Sequence, residues 1–236
     1  MADYQAVERA ISKAFELARR PIAVSFRDVA PAGVAKFAGT EPSGCSFWRI
    51  AAEGRTFYTV PSDHYNCAVG CHTHNIELPK ERAAELEQTI SFMTRVRYIR
   101  MEEIPGFARL PKAPGVVVYA PLGDTPVDPD VVLFVGTPAR ISLLMEAANR
   151  AGITAKAPFL GRPTCSALAA TLAEGAVVST GCVGNRVYTD LGEDELYAAI
   201  RGSDVKHLAD EAQTIAAANL QLSEYHRARR KDLATQ

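Results

Sequence analysis

Two hydrophobic periods alternate along the chain. Tyr4, Val7, Ile11, Ala14, Phe15 and Ala18 recur at helical spacing and predict a helix over residues 3–20, which Pro21 ends. Short apolar runs predict strands at residues 22–26, 55–60, 115–120, 131–135, 154–157 and 176–180. Between them helices are expected at 45–52, 78–93, 138–150, 164–172, 193–200 and 205–229. Ala83, Leu86, Ile90 and Met93 form the apolar stripe of the helix at 78–93, with Pro79 in its first turn. Thr164 is the expected cap of the helix at 164–172, and Gly175 its stop. This alternation predicts an α/β (or α+β) fold, with a mixed β-sheet flanked by helices. The Pro- and Asp-rich stretch at 121–129 is too short to separate domains, so residues 1–236 read as a single domain.

Composition narrows the function classes. The 236 residues carry 26 basic and 27 acidic side chains, a formal net charge of −1. A chain built to bind nucleic acid through its backbone would carry a basic excess, so no nucleic acid is expected as partner. The apolar runs fall far short of the ~20 residues that span a membrane, and no membrane partner is expected either. The N-terminal segment is amphipathic and contains acids, with no apolar signal core, so the expected location is cytoplasmic.

Five cysteines are the most informative feature, because a cytoplasmic chain keeps them reduced. Cys45 stands in GCSFW, Cys67 and Cys71 in HYNCAVGCH, Cys165 in RPTCSAL and Cys182 in STGCVGNR. Each neighbours the Gly, Pro, Ser, Thr or Asn of turns and helix starts, where buried structural cysteines are less common. In a layered fold such positions gather along one edge of the sheet, and loops from separate chain regions meet there. Helix starts favour thiolates, and glycine-turn N–H groups donate to cluster sulfur.

Two metal readings follow. Four thiolates suit an iron–sulfur cluster. Thiolates with His64, His72 or His74 suit zinc, and would give a zinc-stabilised ligand-binding or regulatory module without catalysis. A metal-free enzyme with Cys67 or Cys71 as nucleophile and His64 as its base is a third reading. Ordinary reduced thiols are the simplest alternative, since the Cys67-x3-Cys71 spacing matches no zinc knuckle.

The succession RPIAVSF, GCSFWRIAAEGRTFY, DHYNCAVG, PDVVLFVGTPAR and STGCVGNR resembles the uncharacterised DUF169 family, from about Pro21 to about Leu196. The resemblance implies no settled activity. It does imply recurrent positions: Cys45 before an aromatic residue, His64 with Cys67 and Gly70, Cys165 opening a late helix, and Cys182 with Gly184 and Arg186. Cys71 falls outside that pattern. A recurrent set of Cys45, Cys67, Cys165 and Cys182 favours an iron–sulfur cluster, 4Fe-4S ahead of 2Fe-2S, with zinc as the alternative and Cys71, His64, His72 and His74 in reserve. The expected function is then a soluble cluster protein with a redox partner or a small-molecule substrate.

Other residues carry weaker signals. His64 and Arg186 are candidate catalytic groups, Arg186 because a guanidinium beside Cys182 offsets thiolate charge or grips an anion. The simpler reading of Arg186 is an ion pair closing its turn. His64 reads equally as a surface-loop histidine, and His72 and His74 as members of a polar turn. Phe47, Trp48 and Tyr65 would shield a cluster or simply fill the core. GTPAR at 136–140 reads as a plain strand-to-helix turn. Val205, Leu208, Ala212, Ile215 and Leu222, with Asn219 at an a position, permit a homodimer contact through the C-terminal helix or packing on the chain's own sheet.

Overall fold

A computed structural model describes residues 3–153 and 162–234. Six strands form one sheet: β1 (Ile22–Arg27), β2 (Phe57–Thr59), β3 (Val116–Pro121), β4 (Val131–Gly136), β5 (Ala176–Ser179) and β6 (Leu196–Arg201). Their order is β2-β3-β1-β4-β6-β5, and every neighbouring pair is antiparallel. Among the described residues, only the isolated bridge between Lys36 and Tyr58 runs parallel. The helices are α1 (Tyr4–Phe15), α2 (Ser46–Ala52), α3 (Ala68–Thr73), α4 (Glu85–Arg95), α5 (Pro138–Arg150), α6 (Ser166–Glu174), α7 (Val183–Thr189) and α8 (Val205–Ala234). The α/β expectation therefore holds, and the sheet is antiparallel rather than mixed in its named strands.

Helices cover both faces of the sheet, which explains why β3 and β4 are buried along their whole length. On one face Val7, Ile11 and Phe15 of α1, Ile141 and Leu144 of α5, and Val205, Leu208 and Ala212 of α8 pack on Ala23, Val132, Phe134, Ala198 and Ile200. On the other, Phe47, Trp48 and Ile50 of α2 and Ala167 and Leu168 of α6 pack on Val24, Tyr119, Leu133, Tyr197 and Ala199. Alternate residues of each strand thus serve alternate layers. The first part of α8 packs on its own chain. Farther along, Leu220, Leu222, Tyr225 and Leu233 are exposed.

Local chemistry accounts for most element ends. Asp3 caps α1 by accepting from the Ala6 amide at 2.9 Å. The helix stops at Phe15 rather than reaching residue 20, because Glu16 turns into the left-handed region with φ 49°. Between Asn75 and α4 the chain forms a short 3-10 turn, Lys80–Arg82, so the expected long helix is shorter. The segment expected as a helix at 193–200 is instead β6. Glu, Leu and Ala give it helical propensity, but it lies between β4 and β5 and fills six register positions against β4. Small Ala198 and Ala199 let both helical layers approach, and tertiary pairing outweighs local preference. The expected strand at 154–157 lies outside the described residues.

Candidate functional site: a cavity lined by four cysteines

Cys45, Cys67, Cys165 and Cys182 each stand immediately before a helix, as the residues preceding α2, α3, α6 and α7. All four line one cavity of about 570 Å³. The α2 and α6 that two of them open pack on the same face of the sheet. α2 touches α7, and α3 touches both α4 and α6. The Cys182 amide donates to the Thr164 hydroxyl at 2.5 Å, tying the segment before α6 to the segment before α7. Thr164 therefore fastens two cysteine loops together rather than capping a helix, and Cys165 takes the capping position.

All five thiols are free. Burial pushes the Cys45 thiol up from 9.0 to about 12, with Cys67 and Cys182 adding repulsion and the Ser43 hydroxyl, 3.0 Å from the sulfur, opposing it. Cys165 is pushed well above its ordinary range by burial, then by Cys67 and Cys45, with a further contribution from Cys182. Cys67 is raised by burial and by Cys182, against the Gly70 N–H that donates to its sulfur at 3.3 Å. Ionising one thiol of the set is thus resisted by the others. Three of them hold their protons at neutral pH unless a cation replaces the charge.

Two polar groups beside the thiols are poorly paired. Asn185 on α7 is buried and lines the cavity; its amide lies close enough to the Cys45 thiol and the Tyr197 hydroxyl to favour their ionised forms, but makes no well-aligned hydrogen bond among the described residues. The buried Tyr119 hydroxyl, near Thr59 and within the field of Cys45 and Cys165, also lacks a well-aligned partner there. A buried amide left without a good hydrogen bond costs about 1–3 kcal/mol, so its retention next to sulfur is informative. Neither Asn185 nor Tyr119 stands out in the sequence. The run of Gly184 and Asn185 after Cys182 was the only available hint.

Of the reserve residues, His72 lines the cavity and Cys71, His64 and His74 do not. Cys71 is buried inside α3 and donates its thiol hydrogen to the His64 carbonyl at 3.1 Å, away from the cavity lining. His64 is a core residue and not a surface-loop one. Its Nε2 lies 2.8 Å from the Thr59 hydroxyl, and its ring stacks on His74 with centroids 5.8 Å apart. Burial, with His74 adding, lowers it to about 3, so it is neutral and shut off from Cys67 chemistry. His74 is buried too, its Nδ1 2.9 Å from the Gly70 carbonyl oxygen, which corrects the polar-turn reading. His72 lines the cavity and is held neutral by burial and by Arg109. Arg186 does not line it. Its guanidinium donates to the carbonyls of Gly192 at 2.7 Å and Glu195 at 3.1 Å, so it fastens the loop after α7 instead of meeting an anion or an acidic side chain. Phe47 and Trp48 are core residues. Tyr65 is half-buried and is not among the lining residues.

Among the described residues, no three Cys, His, Asp or Glu side chains group tightly enough to hold a single metal ion. A mononuclear tetrahedral site brings its sulfurs to about 3.8 Å of one another, as follows from Zn–S bonds of ~2.3 Å. A polynuclear cluster binds each thiolate to a different iron and spaces the ligands more widely. The donor set at the cavity is four thiols, one backbone N–H on sulfur and largely apolar walls.

The model of the DUF169 family, described as uncharacterised ArCR, matches residues 10–211. The chain belongs to this family. No curated protein and no solved structure matches it. The four cysteines and the Asn185 amide of this DUF169 protein all fall within the matched span, whereas the exposed part of α8 lies beyond it. No helix of the described residues is long and apolar enough to cross a membrane.

Proposed function

We propose that this DUF169 protein is a soluble, cytoplasmic iron–sulfur protein whose cluster is held by Cys45, Cys67, Cys165 and Cys182. One observation carries the reading: four thiols from four separated chain segments line the same cavity, while the fifth, Cys71, is turned into α3. The neutral thiols pack without cost, but Cys45, Cys67 and Cys165 resist ionisation beside their neighbours, and a bound cationic iron core would stabilise their thiolates.

The chain's own residues then have defined tasks. Thr164 and the α2–α7 contact hold the loops in register. The Gly70 N–H and the Ser43 hydroxyl donate toward Cys67 and Cys45, stabilising their charged forms. When bound, the cluster would supply one-electron transfer, and the cavity beside it admits a small molecule or faces a redox partner. The apolar walls keep water from the sulfurs. A 4Fe-4S cluster matches the four-thiol set. The exposed Leu220, Leu222, Tyr225 and Leu233 of α8 would serve a homodimer contact, which light scattering checks.

Anaerobic purification followed by visible absorption and electron paramagnetic resonance, before and after dithionite, tests the reading. The expected result is a broad sulfur-to-iron charge-transfer band that bleaches on reduction. Near-stoichiometric zinc with no visible band would replace the cluster by the zinc alternative.

A further inference from the structure

The cavity is larger than four thiols need, and its far walls are built differently from its cysteine end. α4 carries an apolar stripe, yet none of its residues is buried. Leu86, Ile90 and Met93 face the cavity instead of a core. Amphipathic helices ordinarily bury such a stripe against their own protein. A space of about 570 Å³ lies in the range of sites for small organic ligands.

The charges around this wall are one-sided. None of the described lining residues is acidic, whereas Arg97 and Arg162 both line it. Arg162 spreads its guanidinium 5.1 Å from the Tyr98 ring centroid, and its Nε is buried without a partner. Its Nη2 donates to Glu103 at 2.9 Å, but the same carboxylate also accepts from Arg100 at 3.0 Å. One acid therefore serves two guanidinium groups. Arg97, next to Tyr98, makes no side-chain hydrogen bond or ion pair among the described residues and is held at φ 60°, a backbone conformation that costs a non-glycine residue about 1 kcal/mol or more.

We infer that the cavity binds a small organic carboxylate with an apolar body, its charged end at Arg162 and Arg97 and its body along α4 toward the cysteines. A guanidinium lining an apolar cavity is a natural donor to a carboxylate oxygen. The thiol-lined end and the poorly paired Asn185 amide then meet the part of the ligand remote from its charge. This goes beyond the cluster assignment and stands without it, because it rests on α4, Arg97 and Arg162 alone.

Calorimetric titration of the metal-free, reduced protein with octanoate, octanol and octylammonium tests it, repeated on the reconstituted protein. Octanoate is expected to bind about tenfold or more tighter than either control. Ile90→Trp, which fills the space from the solvent-facing helix, abolishes octanoate binding with unchanged circular dichroism. Arg162→Gln brings octanoate down to the affinity of octanol, and Arg97→Gln, at an exposed position, lowers it in the same direction. Equal affinity for the three probes in the parent protein, no binding at all, or full binding by a folded Ile90→Trp variant would overturn the inference. Octanoate binding by a protein that takes up no iron would uphold the cavity assignment and remove the cluster alone.

Discussion

Raising the pH of the metal-free protein from 9 to 10 is a perturbation aimed mainly at the thiols. Cys45 is raised from 9.0 to about 12, Cys71 likewise to about 12, and Cys67 and Cys165 are raised as well. A thiol whose folded pKa is raised favours the fold fully below its unfolded value and loses that contribution as pH climbs toward the folded value. For Cys45 the window is therefore pH 9 to about 12. Across the first unit of it, unfolded thiols ionise while the buried ones do not, which costs the fold about 1 kcal/mol per raised thiol. Several such groups together remove a large part of the ~5–15 kcal/mol that holds a domain together. Tyr4, Tyr119 and Tyr197 are raised too and act in the same direction, but they start from 10.0, one unit above the thiols, and contribute less over this interval. Urea unfolding of reduced, metal-free protein at pH 7, 9 and 10 is the assay. The midpoint is expected to hold from pH 7 to just below 9 and then fall, with Cys45→Ala falling less by about 1 kcal/mol. The cluster-loaded protein, its four ligand thiolates already paired with iron, keeps only the smaller fall that Cys71 contributes. Parallel stability curves for the parent and Cys45→Ala proteins would refute the buried, mutually repelling thiol set.

Two further outcomes follow from residues next to the thiols. Asn185→Leu removes a poorly paired buried amide and is expected to leave the metal-free fold as stable as before or about 1 kcal/mol more stable. In the loaded protein the same change shifts the reduction potential downward, because a donor facing the Cys45 sulfur is lost, and redox titration followed by visible absorption checks it. Arg186→Ala is expected to cost about 1–3 kcal/mol in thermal or urea unfolding, since two carbonyl contacts of the loop after α7 are lost. The visible spectrum of the loaded Arg186→Ala protein stays unchanged, as this side chain does not reach the cavity.

Much of the architecture was legible because period and punctuation agree. β1, β4 and α5 are close to their expected places, since each is a clean apolar run or stripe bounded by Pro, Gly or Asp. β6 was not legible. Tyr197 and Ala199 serve one layer while Ala198 and Ile200 serve the other, so a strand apolar on both sides lacks the polar alternation that marks a half-buried one. α3 and α7 carry no helical signal of their own, because Gly70 in α3 and Gly184 and Asn185 in α7 are turn residues in isolation. Here those helices are short and held by their neighbours.

The candidate site was legible as a residue set and not as an arrangement. Turn-forming neighbours set four cysteines apart from ordinary core thiols, and the helix starts explain why. Cys71, with similar neighbours, is set apart from Cys67 in the sequence by the family resemblance alone, and the direction of α3, which turns its sulfur toward the His64 carbonyl, gives the physical reason. His64 looked like loop chemistry because Asp63 and Tyr65 flank it, yet Thr59, Phe47 and His74 enclose it. The α4 wall is a tertiary fact: its stripe is periodic whether it covers a core or a cavity.

The most direct measurement is the iron and acid-labile sulfide content of anaerobically reconstituted protein, compared across single Cys→Ser variants. Four irons and four sulfides per chain are expected in the parent and in Cys71→Ser, with loss in Cys45→Ser, Cys67→Ser, Cys165→Ser and Cys182→Ser. A parent protein without iron, or variants of the four that load as fully as Cys71→Ser, would contradict the assignment.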